Sequence, residues 1–348
     1  MPQPETPTNP VAPRPPIVAV VVPCYRERAH VMDVLARIGP TIRHIVVVDD
    51  ACPEGTGAFV RQATSDPRVD VIVHETNQGV GGATLTGYRR AIELGADIIV
   101  KVDGDGQMDP ALIPSLIAPI ADGKADYTKG NRFEGFESLA PMPYTRIVGN
   151  IALSFISKVS SGYWNVFDCT NGFTAIHARV AAATLARPLN RRYFFESDML
   201  FHLGLMRAVV ADVPMKARYG NETSSLSVGK ALFEFAARHL VNAAKRLCLR
   251  YFISDFGMAS VQFLAGIALA SWGVIFGIVE WHRSDATGVP ATAGTVLLAG
   301  LPIILGSQLL IAFLGHDTRN IPREPIHPRL PPAEADRRKV EPDVFPGP

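Results

Sequence analysis

DIIVKVDGDGQMDP, residues 97–110, runs an apolar stretch straight into three acidic residues set apart by glycines. The run before Asp103 is near-continuously apolar, the pattern of a strand buried on both faces. Polarity jumps where such a strand should end. Asp103 and Asp105 stand at i and i+2, so on an extended segment they point the same way and can meet one cation. Oxygen ligands suit Mg2+ or Mn2+, which take one or two carboxylates together with a substrate's phosphates. Gln107 continues the alternation and is read as a third oxygen. An acidic turn is the plain alternative. Asp109 precedes Pro110 and is read as the cap of the next helix.

Three further runs share the strand pattern: IVAVVVP (17–23), HIVVVDD (44–50) and VDVIVHE (69–75). Helical patterns lie between them around His30–Ile38, Glu54–Ala63, Gly82–Leu94 and Ala111–Ala121. Alternating βαβ units predict an α/β fold, with a mostly parallel sheet covered by helices on both faces. Ligands of such sheets bind at the carboxyl ends of the strands. VPCYRER, VVDDAC and VDGDGQ converge there. Beyond residue 127 the pattern predicts helices near Arg146–Ser160 and Ser197–Met206, and strands at Gly172–Ile176 and Ala208–Pro214.

The chain has 348 residues, and its 34 basic and 33 acidic side chains nearly cancel, so no overall field points to nucleic acid. Its mean hydropathy of +0.15 is high for a soluble enzyme, and the excess is local. Gly257–Val279 and Ala291–Leu314 carry no charged residue and are each long enough to cross a bilayer. The loop Trp281–Pro290 holds one arginine, Arg283, whereas Arg319, Arg323, Arg329, Arg337, Arg338 and Lys339 follow the second stretch. The positive-inside bias then puts both termini and the catalytic domain on the cytoplasmic side of the cell (inner) membrane. Residues 229–253 read as an amphipathic helix bearing Lys230, Arg238, Lys245, Arg246 and Arg250, lying against membrane lipid or packed on the catalytic domain. The expected divisions are a Pro-rich disordered leader (1–16), a catalytic domain (17–227), juxtamembrane helices (228–256), a two-helix transmembrane hairpin (257–315) and a cytoplasmic tail (316–348). The leader lacks the apolar segment of a signal peptide. Cys24, Cys52, Cys169 and Cys248 have no zinc spacing and read as buried free thiols in a reducing compartment.

VVVPCYRER (20–28), VVVDDAC (46–52), NQGVGGA (77–83) and VDGDGQ (102–107) together resemble the ordered signatures of the family 2 glycosyltransferases, with the dolichol- and polyprenyl-phosphate sugar synthases most similar. That resemblance implies a GT-A (Rossmann-like) fold, a nucleotide-sugar donor, a divalent metal and inversion at the anomeric carbon. It places Pro23, Tyr25, Glu27, Asp49 or Asp50, Asn77, Gly79, Asp103 and Gly104 around the donor. The glycines of NQGVGGA are expected to let backbone approach the nucleotide at a helix N-terminus. TKGNRF (128–133) resembles the segment whose arginine, here Arg132, meets the donor diphosphate. DCTNGFTAI (168–176), with Asp168 and Asn171, resembles the floor of the sugar and acceptor pocket. FFESDML (194–200) supplies Glu196 and Asp198 as the later acidic pair, and VPMKARYGNETSSL (213–226) supplies Arg218, Ser224 and Ser225 as phosphate contacts.

The resemblance further implies transfer of a hexose, from GDP-mannose or UDP-glucose, to polyprenyl or dolichyl phosphate. A phosphate monoester has its second pKa near ~6, so the nucleophile is already ionised at neutral pH and needs no strong base. Glu196 or Asp198 as a base is therefore secondary to positioning. Two alternatives stand beside this reading. One is another membrane-bound family 2 enzyme acting on a polysaccharide or glycolipid, although the QxxRW signature of processive synthases is absent. The other is a non-catalytic nucleotide-binding adaptor. Whether the chain forms a homo-oligomer is left open.

Overall fold

The computed structural model describes residues 14–132, 144–215 and 228–333. Arg218, Ser224, Ser225, Arg337, Arg338, Lys339, the Lys230 side chain and most of the leader lie outside the described residues. Four strands, β1 (Val18–Cys24), β2 (His44–Asp49), β3 (Val69–Val73) and β4 (Ile98–Lys101), form the parallel half of one seven-stranded sheet. The order is β3-β2-β1-β4-β6-β5-β7. β6 (Thr174–His177) runs antiparallel to both β4 and β5 (Tyr127–Asn131), and β7 (Val210–Pro214) returns parallel to β5. The sheet is thus mixed and mostly parallel.

Side chains alternate across it as a period of two requires. Ala19, Val21, Val46, Val48 and Ile99 join one buried cluster, while Val20, Val22, Ile45, Val47, Ile98 and Val100 join the other. Each such valine or isoleucine contributes about 1.5–3 kcal/mol by leaving water. Helix α3 (Val80–Glu93) packs on the first face with α6 (Ala178–Leu185) and α7 (Phe195–Met206). α1 (Val31–Ala36) and α4 (Ile113–Ala121) cover the second. α2 (Thr56–Ala63) flanks β2 and β3, and Asp109 accepts from Ala111 N–H to cap the 3-10 turn ahead of α4. Two of the four cysteines are buried as expected, but Cys52 is half-buried and Cys248 exposed, because their positions lie at the ends of elements instead of in the sheet.

α5 (Tyr144–Ser161) and α8 (Val228–Cys248) pack together beside α7. Among its described side chains, α8 does not bury a continuous apolar stripe. Its inward face carries His239, Asn242, Ala243 and Arg246, while Leu240 and Val241 are exposed. Polar inward residues have partners: His239 Nδ1 meets Ser160 Oγ at 2.8 Å, and Asn242 donates to Asp198.

After a π-helical turn at Leu249–Ser254 come α9 (Met258–Thr287) and α10 (Ala293–Arg319). Both are long and apolar enough to cross a membrane. They touch one another through glycines. A Cβ on Gly273 would stand 2.6 Å from Ala299 O, and one on Gly306 would stand 2.6 Å from Ala270 N. Close backbone approach at small residues is how helices associate in lipid. Their outward leucines, isoleucines and valines are exposed, an arrangement that water would penalise. α9 runs through the stretch read as a loop and stops at Gly288, whose φ of 63° supplies the left-handed cap. At ~1.5 Å per residue it is about 45 Å long, well beyond the ~30 Å of hydrocarbon.

The tail does not leave at once. Asp126 accepts from Ile326 N–H, His327 N–H and His327 Nδ1, and His327 stacks on His177 at 4.2 Å. Ala333 is buried in the first cluster.

Burial holds His239 down to about 4, and burial followed by the charge of His327 does the same for His177. An unfolded histidine titrates near ~6.5, so between the two values the unfolded chain binds more protons. Stability is therefore full above ~6.5 and falls as pH drops toward 4. Thermal midpoints across that window should decline, and His239→Asn should make the decline shallower; an unchanged slope would rule out His239 as a contributor.

Candidate active site

The strands β1, β2 and β4 end at one open cleft of about 690 Å³, within the ~300–1,000 Å³ of small-molecule sites. Ten of the residues expected in the site line it: Pro23, Tyr25, Glu27, Asp50, Asn77, Gly79, Asp103, Gly104, Asp105 and Glu196. Gly104 packs tightly, since a Cβ would stand 3.0 Å from Cys24 Sγ. Sharp turns carry the chain off the sheet here, with Arg26 and Ala51 both left-handed at φ 63° and 54°. Non-glycine residues in that region cost about 1–3 kcal/mol each and collect at functional sites.

Beneath the cleft lies Lys101, only 1% exposed at its side chain. Its ammonium donates to Asp103 Oδ1 at 2.6 Å, to Glu196 Oε1 at 3.1 Å and to Gly172 O at 3.4 Å. Burial alone would lower its pKa, but the two carboxylates outweigh burial and hold it above the ordinary lysine range. A Cβ on Gly172 would fall 2.5 Å from Lys101 Nζ and 2.6 Å from Asp103 Oδ2. Only glycine there keeps the second Asp103 oxygen open. Lys101 is not among the residues expected in the site. The available signal was a lysine inside a strand otherwise apolar on both faces, which demands buried counter-charge.

Five carboxylates (Glu27, Asp50, Asp103, Asp105, Glu196) and one guanidinium, Arg192, line the cleft among the described residues. A diphosphate would be repelled by that surface unless a cation came with it. The hard oxygen donors of Asp103 and Asp105 fit a divalent ion. No three His, Cys, Asp or Glu side chains gather to hold a metal alone among the described residues, so remaining ligands would come from substrate oxygens and water. Gln107 is exposed and off the cleft; its backbone N–H donates to Asp105 Oδ1 at 2.9 Å. It steadies the carboxylate through main chain, because Gly106 at φ +77° turns the segment away from extended geometry.

The two aspartates ending β2 differ in role. Asp49 accepts from Cys52 N–H and Gly57 N–H and does not reach the cleft. Asp50 reaches it, yet its carboxylate accepts from Gln78 N–H at 2.8 Å, Gly79 N–H at 2.7 Å and His74 Nδ1 at 2.7 Å. The negative charge at the start of α3 is thus the protein's own. The glycines of NQGVGGA also serve the protein. Cβ atoms on Gly79 and Gly81 would stand 2.6 Å from Arg191 O and Asn190 O, so the close approach there is by segment 190–192.

Arg132 forks onto Asp168, with Nε to Oδ2 at 2.7 Å and NH2 to Oδ1 at 3.0 Å, and neither lines the cleft. Asn171 is buried, its amide spent on Gly130 O and Phe173 N–H. Asp198 accepts from Asn190 N–H at 2.8 Å and Asn242 Nδ2 at 3.0 Å, facing away from the cleft. Glu196 and Asp198, alike in sequence, are therefore separated by geometry: one lines the cleft and the other braces its wall. Arg192, Tyr193, Thr170 and Phe235 line the cleft without having been singled out, since they come from loops and a helix distant in sequence.

The family model for glycosyl transferase family 2 matches residues 19–184. A UDP-N-acetylglucosamine–dolichyl-phosphate N-acetylglucosaminyltransferase of Methanococcus voltae is 32% identical over 218 residues, covering 58% of this chain and 86% of that protein. The chain belongs to glycosyltransferase family 2. An undecaprenyl-phosphate mannosyltransferase of Micrococcus luteus is 30% identical to this glycosyltransferase over 202 residues, 57% of the chain and 82% of the relative. Among solved structures, glucosyl-3-phosphoglycerate synthase from Mycobacterium tuberculosis, in complex with Mg2+ and uridine diphosphate, superposes with a TM-score of 0.51. It is 18% identical and covers 66% of this chain and 80% of that one. That likeness supports the fold of the glycosyltransferase.

Removing Lys101 leaves Asp103 and Glu196 facing each other without their cation. Lys101→Met should therefore destabilise the enzyme by about 3–5 kcal/mol, the scale of a broken buried pair; urea unfolding measures it, and a neutral result would contradict the pairing. Glu196→Gln should lower turnover roughly 10–100-fold, as losing one charged hydrogen bond does. Asp198→Asn should instead cost about 1–3 kcal/mol of stability with turnover per folded molecule retained; parallel kinetics and melts distinguish the two, and equal loss of turnover would contradict the separation.

Proposed function

We propose that this glycosyltransferase moves a sugar from a nucleoside-diphosphate donor to a polyprenyl or dolichyl phosphate at the cytoplasmic membrane face, with inversion. The observation that carries the proposal is the pairing of an acidic, carboxylate-ended cleft with two exposed apolar helices on one chain. The division of roles follows: residues 17–227 catalyse, 228–256 lie at the interface, and 257–315 anchor. The Arg-rich flank after α10 favours cytoplasmic ends, with the α9–α10 turn outside. The outward Leu240 and Val241 of α8, with Ile253 and Phe256 after it, favour contact with the lipid surface.

In this reading Tyr25, 43% exposed at the cleft wall, offers a face for the base. Mg2+ or Mn2+ would be held by Asp103 and Asp105 and would neutralise charge on the leaving diphosphate. Arg192, which lines the cleft three residues before α7 and has no ion-pair partner among the described residues, would grip phosphate. Arg132 serves phosphate only if it leaves Asp168, so in the described geometry it is a reserve contact. Glu196 accepts hydrogen bonds from sugar hydroxyls while Lys101 fixes its carboxylate in place. The acceptor phosphate arrives ionised and needs orientation more than a base. For the sugar, mannose and N-acetylglucosamine are both supported by the names of relatives, and glucose only by the sequence reading.

Full-length protein in membranes should be supplied with divalent metal, polyprenyl phosphate and radiolabelled GDP-mannose, UDP-N-acetylglucosamine or UDP-glucose in separate reactions. One donor should label an organic-extractable lipid that releases its sugar in mild acid, and chelator should abolish the labelling. Label that never enters the lipid phase with any donor would contradict the proposed acceptor.

A further inference from the structure

A second cavity, of about 200 Å³, lies where the catalytic fold meets the hairpin. None of its lining residues lines the donor cleft. Arg187, Arg207, Arg246 and Arg250 line it, and Asp317 is the one acidic lining residue among those described. Asp317 is already spent. It accepts from Arg246 NH1 at 2.8 Å and NH2 at 2.9 Å, from Tyr251 OH at 2.6 Å and from Trp164 Nε1 at 2.9 Å. The other three arginines meet no further carboxylate in the lining among the described residues, and Asp255, in the adjoining groove, acts on Arg207 from outside it.

The donors are also under-used. Arg246 is 6% exposed, and its buried Nε has no hydrogen-bond partner. The side chains of Arg187 and Arg250 have no hydrogen bond or ion pair among the described residues, and Arg207 uses one NH group on Asn320. Burial and the neighbouring charge of Arg250 hold Arg207 below the usual arginine range. Arg207 further sits at φ 63°, closing α7 in a conformation that favours glycine. Four guanidiniums gathered at that cost, with a buried N–H left over, make a site for an anion with several oxygens.

We propose that this pocket binds the phosphate of an anionic membrane lipid and so fixes the catalytic fold on its hairpin. The lipid source follows from position, and the inference rests on the membrane reading of α9 and α10. Tyr251 lines both this pocket and a groove of about 590 Å³ at the base of the hairpin, formed by the start of α9 and the end of α10. A headgroup phosphate entering the first can lay its glycerol along the second. Choline would bring another cation among the arginines, so an anionic headgroup is favoured. This phosphate is not the one attacked in transfer. Glu196 opens α7 and Arg207 closes it, which separates cleft and pocket by roughly 16 Å at ~1.5 Å per residue.

The test uses the full-length protein in vesicles of phosphatidylcholine alone, of phosphatidylcholine mixed with phosphatidylglycerol, and of phosphatidylcholine with millimolar sodium phosphate. Phosphatidylglycerol should raise the thermal midpoint by on the order of 2–4 °C. The Arg187→Gln/Arg250→Gln variant should lose that rise, whereas a charge-matched Arg238→Gln/Lys245→Gln control on α8 should keep it. An undiminished rise in the first variant, or its loss in both, would overturn the pocket. An equal rise with sodium phosphate would overturn the lipid as its source. Alkaline carbonate extraction keeps the premise separate: a chain released from membranes fails the membrane reading, while a retained chain with an unaffected variant fails the pocket alone.

Discussion

An ammonium group that water cannot reach must be neutralised where it stands, and Lys101 is neutralised by two carboxylates from different parts of the chain. Asp103 follows just past the end of β4, and Glu196 comes from the first turn of α7. Their pairing pins the end of the central strand to the helix that forms the cleft's far wall. It also dictates Gly172, since any side chain there would enter the space between lysine and aspartate. The joining of strand end to helix and the orientation of the Asp103 and Glu196 carboxylates both depend on this one buried cation. A second buried lysine shows how much the carboxylates matter. Lys129 lies wholly inside and donates to Asn171 O, and burial holds its pKa below the ordinary value despite more distant acids.

A comparable centre joins the catalytic fold to the apolar hairpin. Asp317, near the end of α10, collects donors from α8, from the π-helical turn and from the segment after α5. A lost partner at so buried a carboxylate costs far more than a surface pair would. The strap over Asp126 adds a further tie from beyond α10. The proposed donor site is thus held at a set distance from the apolar helices by polar contacts inside the protein, and a lipid-borne acceptor would meet it from one side.

Much of this was legible in the sequence because it is local. Strands β1 to β4 are near-continuous apolar runs, the Asp103–Asp105 pair sits at a strand end, and two uncharged stretches announce α9 and α10. What escaped depends on contacts far apart in the chain. β5 reads YTKGN, with no alternation, and exists because β6 and β7 flank it. Glu196 and Asp198 carry the same chemistry two residues apart, and only the packing of α7 against α8 decides which faces the cleft. The glycines before α3 looked like room for a nucleotide; they are room for residues 190–192, more than a hundred positions later. α8 turns His239, Asn242 and Arg246 inward because each has a partner to meet, and those partners lie far away in the chain.

The position of a nucleoside diphosphate and its metal decides the role of the cleft. Crystals grown with Mn2+ and either GDP or UDP, measured at the manganese edge, test this most directly. One anomalous peak is expected within coordination distance of Asp105 and Asp103 and of the diphosphate, with Arg192 on the phosphate and Lys101 still bound to Glu196. Nucleotide bound outside this cleft, or manganese bound away from both aspartates, would contradict it.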